Sequence, residues 1–129
     1  MSVCNVFFSV NLDGQLSNFN SQGNIEKRGN QYRVGFSLQE SGLSYVFSVF
    51  KGKVTIATKG EISYTFTLKK GEEFFFMLET FGAPIHCKVS CEDLTVLTSE
   101  NQIYINAVYT LDAGGNLSKS KLSLKVELL

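Results

Sequence analysis

Tryptophan is absent from this chain, and histidine and proline occur once each. A lone histidine, His86, rules out the histidine clusters that hold transition metals. It also restricts imidazole acid–base chemistry to that one position. The single proline, Pro84, leaves no proline-rich linker, so the 129 residues read as one domain of residues 1–129. Charge of one sign is also missing: twelve basic residues balance twelve acidic ones, and no run of Lys or Arg exceeds two. Nucleic acid and anionic membrane both attract a basic surplus, so neither is an expected partner.

Long apolar runs are missing too. Nothing approaches the ~18 residues that a membrane-spanning helix requires. The apolar start Val3-Cys-Asn-Val-Phe-Phe-Ser-Val10 is broken by Asn5, has no basic leader, and reads as a first strand rather than a signal peptide. Three cysteines cannot all pair internally. Cys87 and Cys91 fall on one strand face with their Cα atoms about 13 Å apart at ~3.3 Å per residue. A disulfide spans under about 7 Å, and one metal ion cannot bridge that gap either. Cys4 reaches them only across neighbouring strands. The cysteines therefore read as small buried hydrophobes in a reduced cytosol, and the expected location is cytoplasmic.

What is present is alternation. Ile62, Tyr64, Phe66 and Leu68 take turns with Glu61, Ser63, Thr65 and Thr67, the period of a strand with one face in water. Lys69-Lys-Gly71 turns the chain, Glu72 to Glu79 runs back, and Phe81-Gly-Ala-Pro84 makes a corner. The same rule holds throughout. Asp13-Gly14 is a hairpin turn, and Leu16 to Lys27 is a polar, edge-like or bent strand with a bulge expected at Gly23. Apolar residues hold odd positions from Ile85 to Cys91 but even ones at Leu94 and Val96, so a bulge or bend is expected near Glu92-Asp93. No helical period persists anywhere. About ten short strands with tight turns predict an all-β, up-and-down antiparallel barrel of about 8–10 strands, with a two-sheet sandwich as the alternative.

Several of these features, in this order, resemble the YwiB-like family of uncharacterised bacterial proteins. They are Asp13-Gly14, Gly29-Asn-Gln-Tyr32, Lys59-Gly60, Glu79-Thr-Phe-Gly82, Ile103-Tyr-Ile-Asn-Ala-Val-Tyr109 and Leu122-Ser-Leu-Lys-Val126. The resemblance covers almost the whole chain and implies a small calycin-like (lipocalin-like) β-barrel. It brings no established activity. The Gly-x-Trp signature of true lipocalins is missing along with tryptophan.

Chemistry is sparse. His86 has no Ser, Cys or acidic partner at a convincing spacing, and Cys87 beside it points to the other face, so no enzyme activity is expected. The pairs Glu72-Glu73 and Glu92-Asp93 diverge along a strand and read as solvated charge, with weak cation binding as their only other use. Gly114-Gly115 precedes no helix that would make it a phosphate site. No cofactor and no metal site is expected.

The aromatic residues say more. Tyr32, Phe36, Tyr64, Phe66 and Tyr109 fall on inner faces, where five rings of some 150–250 Å² each favour a filled lumen. Buried phenols need partners, which keeps open a small apolar or amphipathic ligand at the barrel mouth near Tyr32, Tyr64 and Tyr109. That binding module is the leading functional reading. The alternative is a homodimer or a docked protein partner on outer apolar faces, with Phe7, Tyr45, Phe47, Phe75 and Met77 as the candidate interface.

Overall fold

Alternation is expressed in the structure, a computed structural model describing residues 2–129, as ten strands. These are β1 (Ser2–Leu12), β2 (Gln15–Arg28), β3 (Gln31–Leu38), β4 (Leu43–Phe50), β5 (Lys53–Lys59), β6 (Tyr64–Leu68), β7 (Glu73–Leu78), β8 (Ile85–Thr98), β9 (Gln102–Ala113) and β10 (Asn116–Leu128). They form one antiparallel sheet in the order β6-β5-β4-β3-β2-β1-β10-β9-β8-β7. Every neighbour in that order is also a neighbour in sequence, except β1 and β10, which join the two halves from Cys4↔Leu128 to Leu12↔Ser120. The result is an up-and-down barrel and not a sandwich. No helix of the structure is long and apolar enough to cross a membrane.

The ring closes between β6 and β7, and there it is incomplete. A single bridge, Ser63↔Glu79, joins the two sides through reciprocal main-chain bonds of 2.9 and 2.8 Å. Beyond that bridge the seam is shut by rings. Phe66 lies 5.1 Å from Phe76 and 5.7 Å from Tyr109, and Tyr64 stacks on Phe66 at 5.4 Å, all between ring centroids.

The interior follows from register. Cys4, Val6 and Phe8 of β1 face inward with Leu122, Leu124 and Val126 of β10 and Ile103, Ile105, Ala107 and Tyr109 of β9. On the other half the inner set is Val34, Phe36, Phe47, Val49, Val54, Ile56, Phe66 and Leu68. Phe8 is the hub of one aromatic cluster, 5.2 to 6.2 Å from Phe19, Phe36, Tyr45 and Phe47.

The phase change in β8 takes the expected form. Cys91 pairs with Tyr109 and Asp93 with Val108, so Glu92 is the extra residue of a bulge. It keeps Cys87, Val89 and Cys91 inside ahead of the bulge and turns Leu94 and Val96 back toward the core after it.

At Gly23 the expectation needs correction. The pairing of β2 runs without a shift through Cys4↔Gly23 on one side and Gly23↔Phe36 on the other, so there is no bulge. β2 instead changes partners: it pairs with β1 from Gln15 to Ile25 but with β3 only from Gly23 to Arg28. A Cβ at position 23 would collide with the main-chain oxygen of Gly35 and meet Phe36 Cβ at 3.0 Å. Glycine is needed for this close approach at a barrel corner. At the hairpin before it, Asp13 and Gly14 both take positive φ (49° and 91°), the geometry that a two-residue turn imposes.

Gly23→Ala should therefore lower stability by about 1–3 kcal/mol, the usual range for overpacking. Gly35→Ala, whose added carbon would meet only Tyr45 O at 3.9 Å, should cost clearly less. Urea denaturation of the two variants side by side checks the difference.

Candidate functional site

One end of the lumen is not filled. A cavity of about 280 Å³ is lined there by Phe8, Val10, Leu12, Gln15, Ser17, Phe19, Tyr45, Ile56, Tyr64, Phe66, Tyr109 and Leu122. Its walls come from both halves of the sheet. β1 and β2 supply the rim, β4, β5 and β6 one side, and β9 and β10 the other.

Three phenols converge on this space. Register shows why: Tyr45 pairs with Thr58, and Thr58 pairs with Tyr64 across the next ladder, so the three residues occupy one row of one face. Tyr109 enters from β9 opposite Ser120. Burial pushes the Tyr45 phenol up to about 12, and the nearby Tyr64 phenol adds to the rise. Burial raises Tyr64 as well. It raises Tyr109 further, with Tyr64 reinforcing the effect and the facing Ser120 hydroxyl opposing it. All three phenols are neutral at physiological pH and able to donate. No Lys, Arg, Asp, Glu or His lines the cavity.

Thr58 adds an anomaly. Its residue is 1% exposed, it points inward in phase with Val54 and Ile56, and its Oγ1 makes no hydrogen bond. The Tyr64 phenol lies beside it and its own rise is partly offset by this hydroxyl, but Thr58 is not among the residues that line the cavity. An unpaired buried hydroxyl costs roughly 1–3 kcal/mol.

The structure divides the residues singled out from sequence. Tyr64, Phe66 and Tyr109 line the cavity. Phe36 backs it, stacked on Tyr45 at 5.4 Å. Tyr32 does not belong to it: it pairs with Val49, four residues along β4 from Tyr45, and so sits about 13 Å away toward the other end of the lumen. There it lies beneath Lys27 Nζ, 5.4 Å from the ring centroid. Tyr45 and Phe47, expected on an outer face, point inward, because they pair with inward Phe36 and Val34. Phe47 is fully buried. Phe7, Phe75 and Met77 do lie outside, with Phe75 75% exposed.

Tyr45, Thr58, Gln15 and Ser17 escaped the sequence reading. A signal existed for two of them. Ser44 and Ser48 mark the wet phase of β4 and hence Tyr45 as dry, and Thr58 continues the phase of Val54 and Ile56.

Elsewhere the chemistry is plain. His86 is exposed at the start of β8, opposite Met77, and no ion pair or side-chain hydrogen bond engages its ring among the described residues. Cys4, Cys87 and Cys91 are free and buried, and burial pushes their thiols up. The acidic pairs are surface ion pairs: Glu72 with Lys69 at 2.8 Å, Glu73 with Lys88 at 2.9 Å, Glu92 with Lys119 at 3.2 Å and Asp93 with Lys70 at 3.5 Å. Lys69 and Lys88 hold the Glu72 and Glu73 carboxyls below their ordinary values, and the Thr110 hydroxyl, helped by Lys119, does the same for Glu92.

The raised phenols make stability sensitive to alkali. Their folded pKa values exceed the unfolded value of about 10, so the unfolded chain gives up these protons first. Their contribution is complete below about pH 10 and declines toward about 12, where Tyr45 titrates. The buried thiols begin the decline near pH 9. Urea midpoints measured across this range should fall with rising pH, and Tyr45→Phe should flatten part of the fall above pH 10.

No similarity to a curated protein was found. Among solved structures, the chain is similar in fold to the crystal structure of the ywiB protein from Bacillus subtilis. The TM-score is 0.86 at 13% identity, over 99% of this chain and 92% of that one. Residues 7–125 match the profile of a domain of unknown function, DUF1934. A match that runs from the middle of β1 into β10 places this chain in the DUF1934 family, the YwiB-like family that its turn residues resemble.

Proposed function

We propose that this barrel is a non-catalytic binding module for a small, neutral, amphipathic molecule held at the lumen end lined by Tyr45, Tyr64 and Tyr109. The observation that carries the reading is the convergence of three phenols on one cavity that no charged side chain lines. Buried polar groups in folded proteins are nearly always paired, and a ligand with one acceptor or donor group supplies a partner to these phenols. Volume limits its size. At about 280 Å³ the cavity lies at the floor of the usual 300–1,000 Å³ range, so a single-ring compound fits and a long acyl chain does not. The absence of charged lining residues argues for a neutral ligand.

Tyr45→Phe tests the reading, because it removes one phenol hydroxyl from the cavity and keeps the ring. The same change should weaken binding of a neutral single-ring probe such as phenol or benzamide by about tenfold, followed by chemical-shift titration. Native mass spectrometry of gently purified protein should show added mass. A bare chain mass, together with no shift of the Tyr45, Tyr64 or Tyr109 signals by either probe, would sink the proposal.

A second reading rests on a different observation. Phe75 and Met77 share the outer face of β7, and Phe81 stands 89% exposed at the corner after it. Apolar surface gathered in this way favours a protein contact. Light scattering that shows a strict monomer, with loss of no partner on Phe75→Ser, would remove it.

A further inference from the structure

The backbone of β2 carries a second opening. Asp13 N donates to Lys119 O at 3.0 Å and Leu129 N donates to Val3 O at 3.3 Å, so odd residues of β1 direct their main-chain groups toward β10. Even residues of β1 therefore serve β2, and the register Phe8↔Phe19 assigns the odd residues of β2 to that ladder. The even residues Leu16, Asn18, Asn20 and Gln22 direct their N–H and C=O groups the other way. β3 does not meet them, because its pairing with β2 stops at Gly23↔Phe36.

The strands part into a cleft of about 840 Å³, walled by Asn18 to Asn24 on one side and Gly35 to Glu40 on the other. Ser21 Oγ donating to Ser37 O at 3.0 Å pins its closed end. Among the described residues the only protein partner of these four main-chain units is Ser21 Oγ, which also reaches Gln22 O at 3.1 Å.

We propose that this cleft binds an extended polypeptide segment of another protein, which adds a strand to the free edge of β2. Three observations select that occupant. Donors and acceptors recurring at every second residue, roughly 6.6 Å apart, match an extended chain. Free edges in soluble proteins are ordinarily blocked by charge, proline or bulges, yet Gln15 to Asn24 contains no charged residue and no proline, and its pairing with β1 is unbroken. The lining is neutral, amides and hydroxyls with Phe19, Phe36 and Leu38 among them, apart from one carboxylate, Glu40, at one end, which suits a segment with a basic residue at the matching end. This inference does not depend on the lumen ligand.

The probe is the strongest binder selected from a displayed library of random linear peptides. In the free protein the amides of Asn18, Asn20 and Gln22 should exchange with deuterium much faster than those of Phe19 and Ser21, and the bound peptide should slow the first set selectively. Asn20→Pro removes a donor on the open side and leaves the β1 ladder intact. It should weaken the peptide at least tenfold, whereas Asn20→Ala should change affinity less than about threefold. Slow exchange at Asn18, Asn20 and Gln22 in dilute free protein would overturn the proposal. So would protection that rises with protein concentration alone, which would point to a second copy, or selected peptides that leave these amides unprotected.

Discussion

The ladder between the first and last strands is the constraint from which the rest of the molecule follows. Each other pairing joins strands that are consecutive in sequence, and a meander of that kind is by itself an open ribbon with two bare ends. Pairing β1 with β10 over nine registered positions brings the chain's two ends to the middle of the sheet. It thereby displaces the unavoidable gap to the centre of the chain, between β6 and β7. The inner faces of the two halves are forced together, and Phe8 becomes a hub because β1 lies between both.

Ring size then sets what the interior can hold. Aromatic residues fill most of the lumen, but their rings are not spread evenly along it. Phe8, Phe36 and Phe47 pack one region, and Phe66, Phe76 and Tyr109 close the seam side. The polar ends of three tyrosines are left around a small remainder. A filled core and a small cavity are therefore features of the same barrel, at different heights along its axis.

Much of this was legible in residue order. Strand count, the turns at Asp13-Gly14 and Gly114-Gly115, and the phase slip before Leu94 follow from periodicity alone, since one extra residue is the only way to keep both apolar sets inside. What periodicity cannot convey is height along the barrel. Tyr32, Tyr64 and Tyr109 share the inner phase, yet only registers passing through Val49, Thr58 and Ser120 reveal that Tyr32 belongs to the other end. A glycine in a polar strand, such as Gly23, fits either a bulge or a close approach, and the deciding atom, Gly35 O, lies on another strand. Tyr45 and Phe47 are hard to place from sequence because β4 is apolar on both faces, and only Ser44 and Ser48 mark its wet phase.

The seam between β6 and β7 has a mechanical corollary. The other strand pairs are held by ladders of five or more residues, whereas β6 and β7 are held by two main-chain bonds at Ser63 and Glu79, the turn bond from Glu72 N to Lys69 O and a few ring contacts. Ring pairs contribute only about 0.5–1.5 kcal/mol each beyond their buried area. The least costly place to open this barrel is therefore a slit along its flank, beside Phe66 and Phe76.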